Sequence, residues 1–313
     1  MTRLTYLAFH AVFVVPPLVV LAVAAWRRRA RLDRSAWRAR GLGLVVLTLV
    51  ALVYTTPWDN YLIERGVWWY GDGTVVATVW LAPVEEYLFM LLQPVLAVLW
   101  VSLLAPPNPG VASVSRRQRL VGVAAGGAVF LVGIACLRAA PTFYLGAILA
   151  WAGPVLALQW GFGWPVLWAT RRTLALGVGV PTLYLWAADW VAIDVGVWVI
   201  SETYTTGVTL FGLPVEEATF FLVTNLFVVQ GLFLFLWVLD RWGWTAPAPT
   251  APPRLGPASR SASGSGPGST AESAVTPHAV AAPTDESPAP VRGQFRRVRP
   301  ATRRRSRGRQ DRQ

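Results

Sequence analysis

The chain contains no lysine, so all 28 of its basic residues are arginine. Chemistry that runs through a lysine amine is excluded, and with it a retinal-binding seven-helix pigment. One cysteine, Cys136, cannot form an internal disulfide, and two histidines, His10 and His278, are too few for a His/Cys metal site. No metal is expected, since any metal site would have to be built from carboxylates. Charged residues make up 14% of the 313 residues against 54% hydrophobic, with a mean hydropathy of +0.46. Soluble domains carry about a quarter charged residues, so this composition is that of a membrane protein.

Within the abundant apolar sequence the phrase Pro-Val-Glu-Glu occurs twice, at Pro83 to Glu86 and at Pro214 to Glu217. Adjacent carboxylates in a hydrophobic segment are costly, and a second copy makes accident a poor explanation. The match extends further. Asp59, Ile63, Gly66 and Trp68 precede the first phrase at the same mutual spacing as Asp189, Ile193, Gly196 and Trp198 precede the second. Phe89 corresponds to Phe220, and Tyr6-Leu7 and Pro16 recur as Tyr144-Leu145 and Pro154. The chain reads as two divergent copies of one unit, in which acids, aromatics and turn formers were kept rather than apolar filler.

Apolar runs of about 20 residues, the length that spans a bilayer, fall at Leu4 to Trp26, Gly41 to Trp58, Val75 to Leu104, Leu120 to Leu137, Phe143 to Trp160, Leu174 to Trp190 and Val208 to Leu239. The predicted fold is all-α and membrane-integral, with seven transmembrane helices. Two parallel three-helix repeats, 1–104 and 142–244, are joined by a linker-helix region, 105–141. The first run lacks a basic leader and a small-residue cleavage site and reads as a retained helix. Arginines gather in alternate connections: Arg27, Arg28, Arg29, Arg31, Arg34, Arg38 and Arg40, then Arg116, Arg117 and Arg119, then Arg171 and Arg172, then Arg241 and the tail. The intervening loops hold Arg65 and Arg138 at most, with Asp59, Glu64, Asp72, Asp189, Asp194 and Glu202. Retention of arginine on the inner side places the N-terminus outside and the C-terminus in the cytoplasm of a multi-pass cell-membrane protein. Both Glu-Glu pairs then enter from the outer side and face each other across a pseudo-twofold axis along the membrane normal.

The net charge of +12 comes from loops and tail, without a basic face of interleaved aromatics, so no nucleic-acid partner is expected. Residues 245–313, rich in Ala, Pro, Ser, Gly and Arg, cannot bury enough apolar surface to order themselves. They read as a disordered cytoplasmic tail with no specific role beyond contact with anionic lipid.

A carboxyl in an apolar segment resists ionisation, because desolvation disfavours the charged form and a second carboxyl beside it disfavours double ionisation. Such a group can donate a proton at neutral pH, and its conjugate base can take one back. The phrase also has a structural use: proline opens a helix whose first turn sets acids against the positive end of its dipole. Two copies in facing repeats favour chemistry. Glu85, Glu86, Glu216 and Glu217 are therefore the expected catalytic groups. Successive helix positions turn by about 100°, so one glutamate of each pair faces the interior and the other the partner helix or acidic loop; which does which stays open. Asp59 and Asp189, at helix ends on the outer surface, join them through their repeated spacing to Trp68 and Trp198. Trp68, Trp69, Tyr70, Phe89, Trp198, Phe220 and Phe221 are the candidate substrate-binding residues, whose π faces suit a cationic intermediate. Gly122, Gly126 and Gly127 follow no strand and form no dinucleotide fingerprint; they read as a close helix contact. His10 reads as a packed residue of an apolar helix.

At these motifs the sequence resembles the lycopene cyclase domain family, small integral-membrane carotenoid cyclases found as two subunits or as one fused chain. The resemblance runs from Leu4 to about Trp244 and rests on both Pro-Val-Glu-Glu phrases in the fused arrangement. Ala218-Thr219-Phe220-Phe221 closes the second copy, where the first has the less aromatic Tyr87-Leu88-Phe89-Met90. The resemblance implies closure of an acyclic ψ end group to a β-type ring with no net redox change. An acid protonates the terminal double bond, an internal double bond captures the carbocation, and a base removes a ring proton. It implies a lipophilic carotenoid substrate, surrounding membrane lipid, and other carotenoid enzymes as partners. No cofactor is expected, since the chain has no dinucleotide-binding motif. The rival reading is a small-solute or proton-coupled carrier of parallel three-helix repeats. Against it, the positions the two copies share are acids, aromatics and turn formers, with no polar amide of the kind a hydrophilic solute needs.

Overall fold

The computed structural model describes residues 4–28, 34–104, 110–111 and 113–244. The tail, 245–313, and the loop arginines Arg29 and Arg31 lie outside the described residues. Among those described, seven helices are long and apolar enough to cross a membrane. They are α1 Tyr6–Arg28, α2 Arg34–Glu64, α3 Val84–Ser102, α4 Arg116–Cys136, α5 Phe143–Ala169, α6 Arg171–Asp194 and α7 Val215–Arg241. The described residues also include six short strands: β1 Trp68–Tyr70, β2 Thr78–Val79, β3 Ala82–Pro83, β4 Trp198–Ile200, β5 Thr209–Leu210 and β6 Leu213–Pro214.

The exterior of the bundle is apolar, unlike that of a soluble one. Val19, Val53, Leu131 and Leu158 are each more than half exposed, while His10, Asp59, Gln93, Asp189 and Asn225 are buried within a mainly apolar core. An apolar exterior is stable against lipid rather than water.

Two helices start later than the apolar runs suggest. Residues 78–83 form a hairpin of β2 with β3, and residues 209–214 one of β5 with β6. Proline explains both, since it lacks an N–H and disfavours helical backbone in the residue before it. Pro83 and Pro214 sit as N-caps, one position ahead of the expected first helical residue, and both glutamates of each phrase fall in the first turn that follows.

A ribbon joins the two copies directly. β1 pairs antiparallel with β4, Tyr70 opposite Trp198 and Trp69 opposite Val199. The flanking bonds are reciprocal at matched positions: Gly71 N–H donates to Val197 O, and Ser201 N–H to Val67 O. A side chain at Gly71 would not fit, because its Cβ would lie 2.4 Å from Gly196 O.

Elsewhere the helices meet through small residues and freed carbonyls. A Cβ on Gly126 of α4 would lie 2.2 Å from Ala157 N of α5, and Gly122 is equally tight against Trp160. Gly127, expected to share that contact, faces open space, since one step along a helix turns the face by about 100°. In α1, His10–Val14 is a π turn, and Pro17 has no N–H to give to Phe13 O. That carbonyl accepts instead from the Tyr184 hydroxyl at 2.8 Å. At the matched positions of the other copy, the Tyr54 hydroxyl donates to Trp151 O, also at 2.8 Å.

Candidate active site

Asp59 and Asp189 are not surface loop acids. They lie inside α2 and α6 and are only 3% and 1% exposed. Just past each helix, Gly66 and Gly196 take left-handed backbone, φ 68° and 72°. Val67 N–H then donates to Leu62 O and Val197 N–H to Ala192 O, which ends the helix and turns the chain back toward the ribbon. That return brings Trp198 to Asp189, its indole N–H donating to Oδ1 at 3.0 Å. The first copy is wired differently: Trp68 donates to the Tyr70 hydroxyl at 3.2 Å, and Tyr70 donates to Glu86 Oε2 at 3.0 Å.

Each glutamate pair divides in the same way. Glu85 Oε1 accepts from Val76 N–H at 2.9 Å and Glu216 Oε1 from Thr206 N–H at 2.8 Å, so both hold the backbone leading into the hairpins. Glu86 and Glu217 turn inward. With Asp59 and Asp189 they line one cavity of about 50 Å³. Glu86 Oε2 also accepts from the Tyr6 hydroxyl at 2.8 Å, and Glu217 Oε1 from the Tyr144 hydroxyl at 2.7 Å. Asp59 is within electrostatic reach of Glu86, Asp189 of Glu217, and the two glutamates of each other. Among the described residues no arginine lines the cavity.

Its walls are aromatic. Trp68, Tyr70, Phe89, Trp198, Phe220 and Phe221 all border it, with Tyr6 and Tyr144. Tyr6 lies 4.9 Å from Trp198 and Trp68 5.5 Å from Tyr144, ring centre to ring centre. Trp69 does not join them. It is half exposed and does not line the cavity, because alternate residues of a strand point to opposite sides. Burial first, and then the neighbouring Glu86 and Asp59, hold the Tyr70 phenol well above the usual tyrosine range, so it stays a donor. Tyr6 and Tyr144 were visible in the sequence only as repeated Tyr-Leu pairs; Phe9, Leu185 and Ile200, which also border the cavity, carried no signal. His10 is packed beside Tyr6, bonded through Nδ1 to Tyr6 O at 2.9 Å. Among the described residues no group of three or more His, Cys, Asp and Glu is placed to hold a metal ion.

Fold and cavity together define a helical protein of membrane-crossing dimensions with four carboxyls enclosed by aromatic rings. The chain belongs to the lycopene cyclase family: the family model for lycopene cyclase matches residues 3–104 and 128–236. It is 53% identical over 238 residues to the lycopene beta-cyclase of Halobacterium salinarum, covering 76% of this chain and 98% of that protein. It is 34% identical over 245 residues to the bifunctional lycopene cyclase/phytoene synthase of Sporisorium reilianum, covering 74% of this chain and 35% of that one. The corresponding protein of Aspergillus oryzae is 32% identical over 238 residues, with 73% and 39% covered. No solved structure matches the chain.

Proposed function

We propose that the chain is a carotenoid cyclase, an intramolecular lyase that closes ψ end groups of lycopene or a related carotenoid to β rings. The observation that carries this is the cavity, in a chain 53% identical to a lycopene beta-cyclase. Four carboxyls lining one cavity, with no arginine beside them among the described residues, can pass a proton from one to another, and the rings around them exclude water and tolerate a cation. Glu217, with Asp189 beside it, donates a proton to the terminal double bond. The internal double bond captures the resulting carbocation and closes the ring. Glu86 takes the ring proton, its carboxylate stabilised by two phenol donors, Tyr6 and Tyr70. The proton then returns from Glu86 to Glu217 through the cluster, so the cycle is balanced in protons and electrons.

Each copy gives one Glu and one Asp to this shared site, as two parallel three-helix repeats about a linker helix do. The arginine pattern supports an outer N-terminus and a cytoplasmic C-terminus in the cell membrane. Membrane lipid surrounds the helices, and enzymes that make the polyene or consume the ringed product are its partners there. The carrier reading finds no support in the comparisons.

Expression in a lycopene-accumulating host tests this. Carotenoids with β rings are the expected product by chromatography; unaltered lycopene at verified membrane abundance would overturn the reading.

A further inference from the structure

Glu86, Phe89 and Phe220 border a second space besides the acid cavity: an apolar groove of about 570 Å³ between α2, α3, α5 and α7. The two spaces differ in what they can hold. The acid cavity of about 50 Å³ is less than a tenth the size of the groove. It has no room for a whole end group with chain attached. The groove falls within the roughly 300–1,000 Å³ usual for ligand sites. From Phe220 to Leu234, both in its lining, α7 rises about 21 Å. Val50 and Leu158 also line it and are 60% and 72% exposed, so it opens sideways between α2 and α5 onto the apolar exterior. At the acid end those helices are tied by the Tyr54 bond to Trp151 O and by Trp58 N–H donating to Ala147 O at 3.2 Å.

The other copy has larger side chains at the matching place. Where the groove has Ala51, Thr55 and Met90, the matched residues are Pro181, Leu185 and Phe221. Leu185 and Phe221 are buried in a cluster with Phe9, against which Phe13 packs. The approach to the acids is therefore one-sided although the acids themselves come in matched pairs.

We propose that this groove binds the polyene arm of the carotenoid, admitted sideways from lipid between α2 and α5, with its end group delivered past Glu86; this rests on the cyclase reading above. A long, uncharged, rigid chain fits a groove that is long, apolar and joined to the acids at one end. Such an arm brings the tip of the end group deepest, beside Glu217 and Asp189, where the terminal double bond receives its proton. The ring carbon that loses a proton lies nearer the arm, at Glu86. That order agrees with the donor and acceptor roles drawn from the hydrogen bonds. No bond is made or broken in the groove itself. Moving a polyene from lipid into it brings no hydrophobic gain, so retention depends on packing and is sensitive to filling.

The test uses the full chain carrying Glu217→Gln, which lines the acid cavity but not the groove, purified from a lycopene-producing host. Lycopene bound per molecule is read by absorbance. The Glu217→Gln chain retains lycopene, and adding Ala51→Phe or Val155→Phe, on different helices, lowers retention about tenfold, as a misfit in an apolar pocket does. Val19→Phe, on the exposed face of α1, leaves it unchanged. If neither Phe variant accumulates, the milder Ala51→Val is read the same way, with a smaller loss expected. Undiminished retention in the groove variants that accumulate, or no lycopene on the parent chain, overturns the proposal. Failure of the wild-type chain to form rings would overturn the cyclase reading instead, whatever the binding result.

Discussion

The Tyr6 hydroxyl donates to Glu86 at 2.8 Å across 80 residues of sequence, and Tyr144 repeats the bond to Glu217 at 2.7 Å. A helix from the start of each copy thus orients the inward acid of that copy. The two sites then differ: Glu86 receives a second phenol bond, from Tyr70, while the residue matched to Tyr70 is Ile200, which cannot donate. This difference is what separates acceptor from donor in the proposed reaction.

Removing charge from the inward acids should abolish chemistry while sparing the fold. Glu86→Gln, Glu217→Gln, Asp59→Asn and Asp189→Asn are each expected to lower ring formation by about 100- to 10,000-fold, the usual worth of general acid–base catalysis, at normal membrane abundance. Wild-type rates in all four would refute the site.

The outward acids should behave in the opposite way. Glu85→Ala and Glu216→Ala remove the buried carboxyls that accept from Val76 N–H and Thr206 N–H, and a hydrogen bond of this kind contributes about 0.5–1.5 kcal/mol. Lower thermal stability and abundance are expected, with turnover per folded molecule near wild type. Comparing product formed with protein quantified in the same membranes separates the two classes.

Tyr70→Phe removes one of two donors from Glu86. A hydrogen bond to a charged acceptor contributes about 1.5–3 kcal/mol, so kcat should fall by about 10- to 100-fold with KM little changed. Because the Tyr70 phenol is held protonated well past the usual range, it loses no proton below about pH 10. Any alkaline fall in the wild-type profile below that point should therefore persist in Tyr70→Phe; its disappearance would show that this phenol titrates earlier.

Neither half should work alone. Residues 1–119 and 120–313 each carry one inward Glu, one Asp and one strand of the β1–β4 ribbon. Expressed separately they should form no ring, and co-expression should restore part of the activity. Full turnover by one half would show that the cavity is not shared.

A chain ending at Trp244 should keep its turnover per molecule, since the family match ends at residue 236. Loss of turnover at unchanged abundance would assign residues 245–313 a part in the reaction.

The amino-acid sequence by itself made the number of helices legible and pointed to a duplication and to carboxyl chemistry. Hydropathy is local, and a carboxylate pair in apolar sequence is anomalous whatever surrounds it. Helix starts were less legible, because the runs before Pro83 and Pro214 are apolar in either conformation and become hairpins through pairing. Only the tertiary structure decided which glutamate of each pair faces the cavity. That choice follows from the hairpins, whose entering backbone at Val76 and Thr206 takes Glu85 and Glu216 and leaves Glu86 and Glu217 turned inward. It likewise decided that Asp59 and Asp189 are buried, through helix ends that fold back into a ribbon shared by both copies. The one-sided groove was equally invisible, since it depends on Ala51 and Thr55 being smaller than Pro181 and Leu185 across elements more than a hundred residues apart. Spacing along a chain records repetition; which atoms meet is settled by packing between segments that the spacing does not relate.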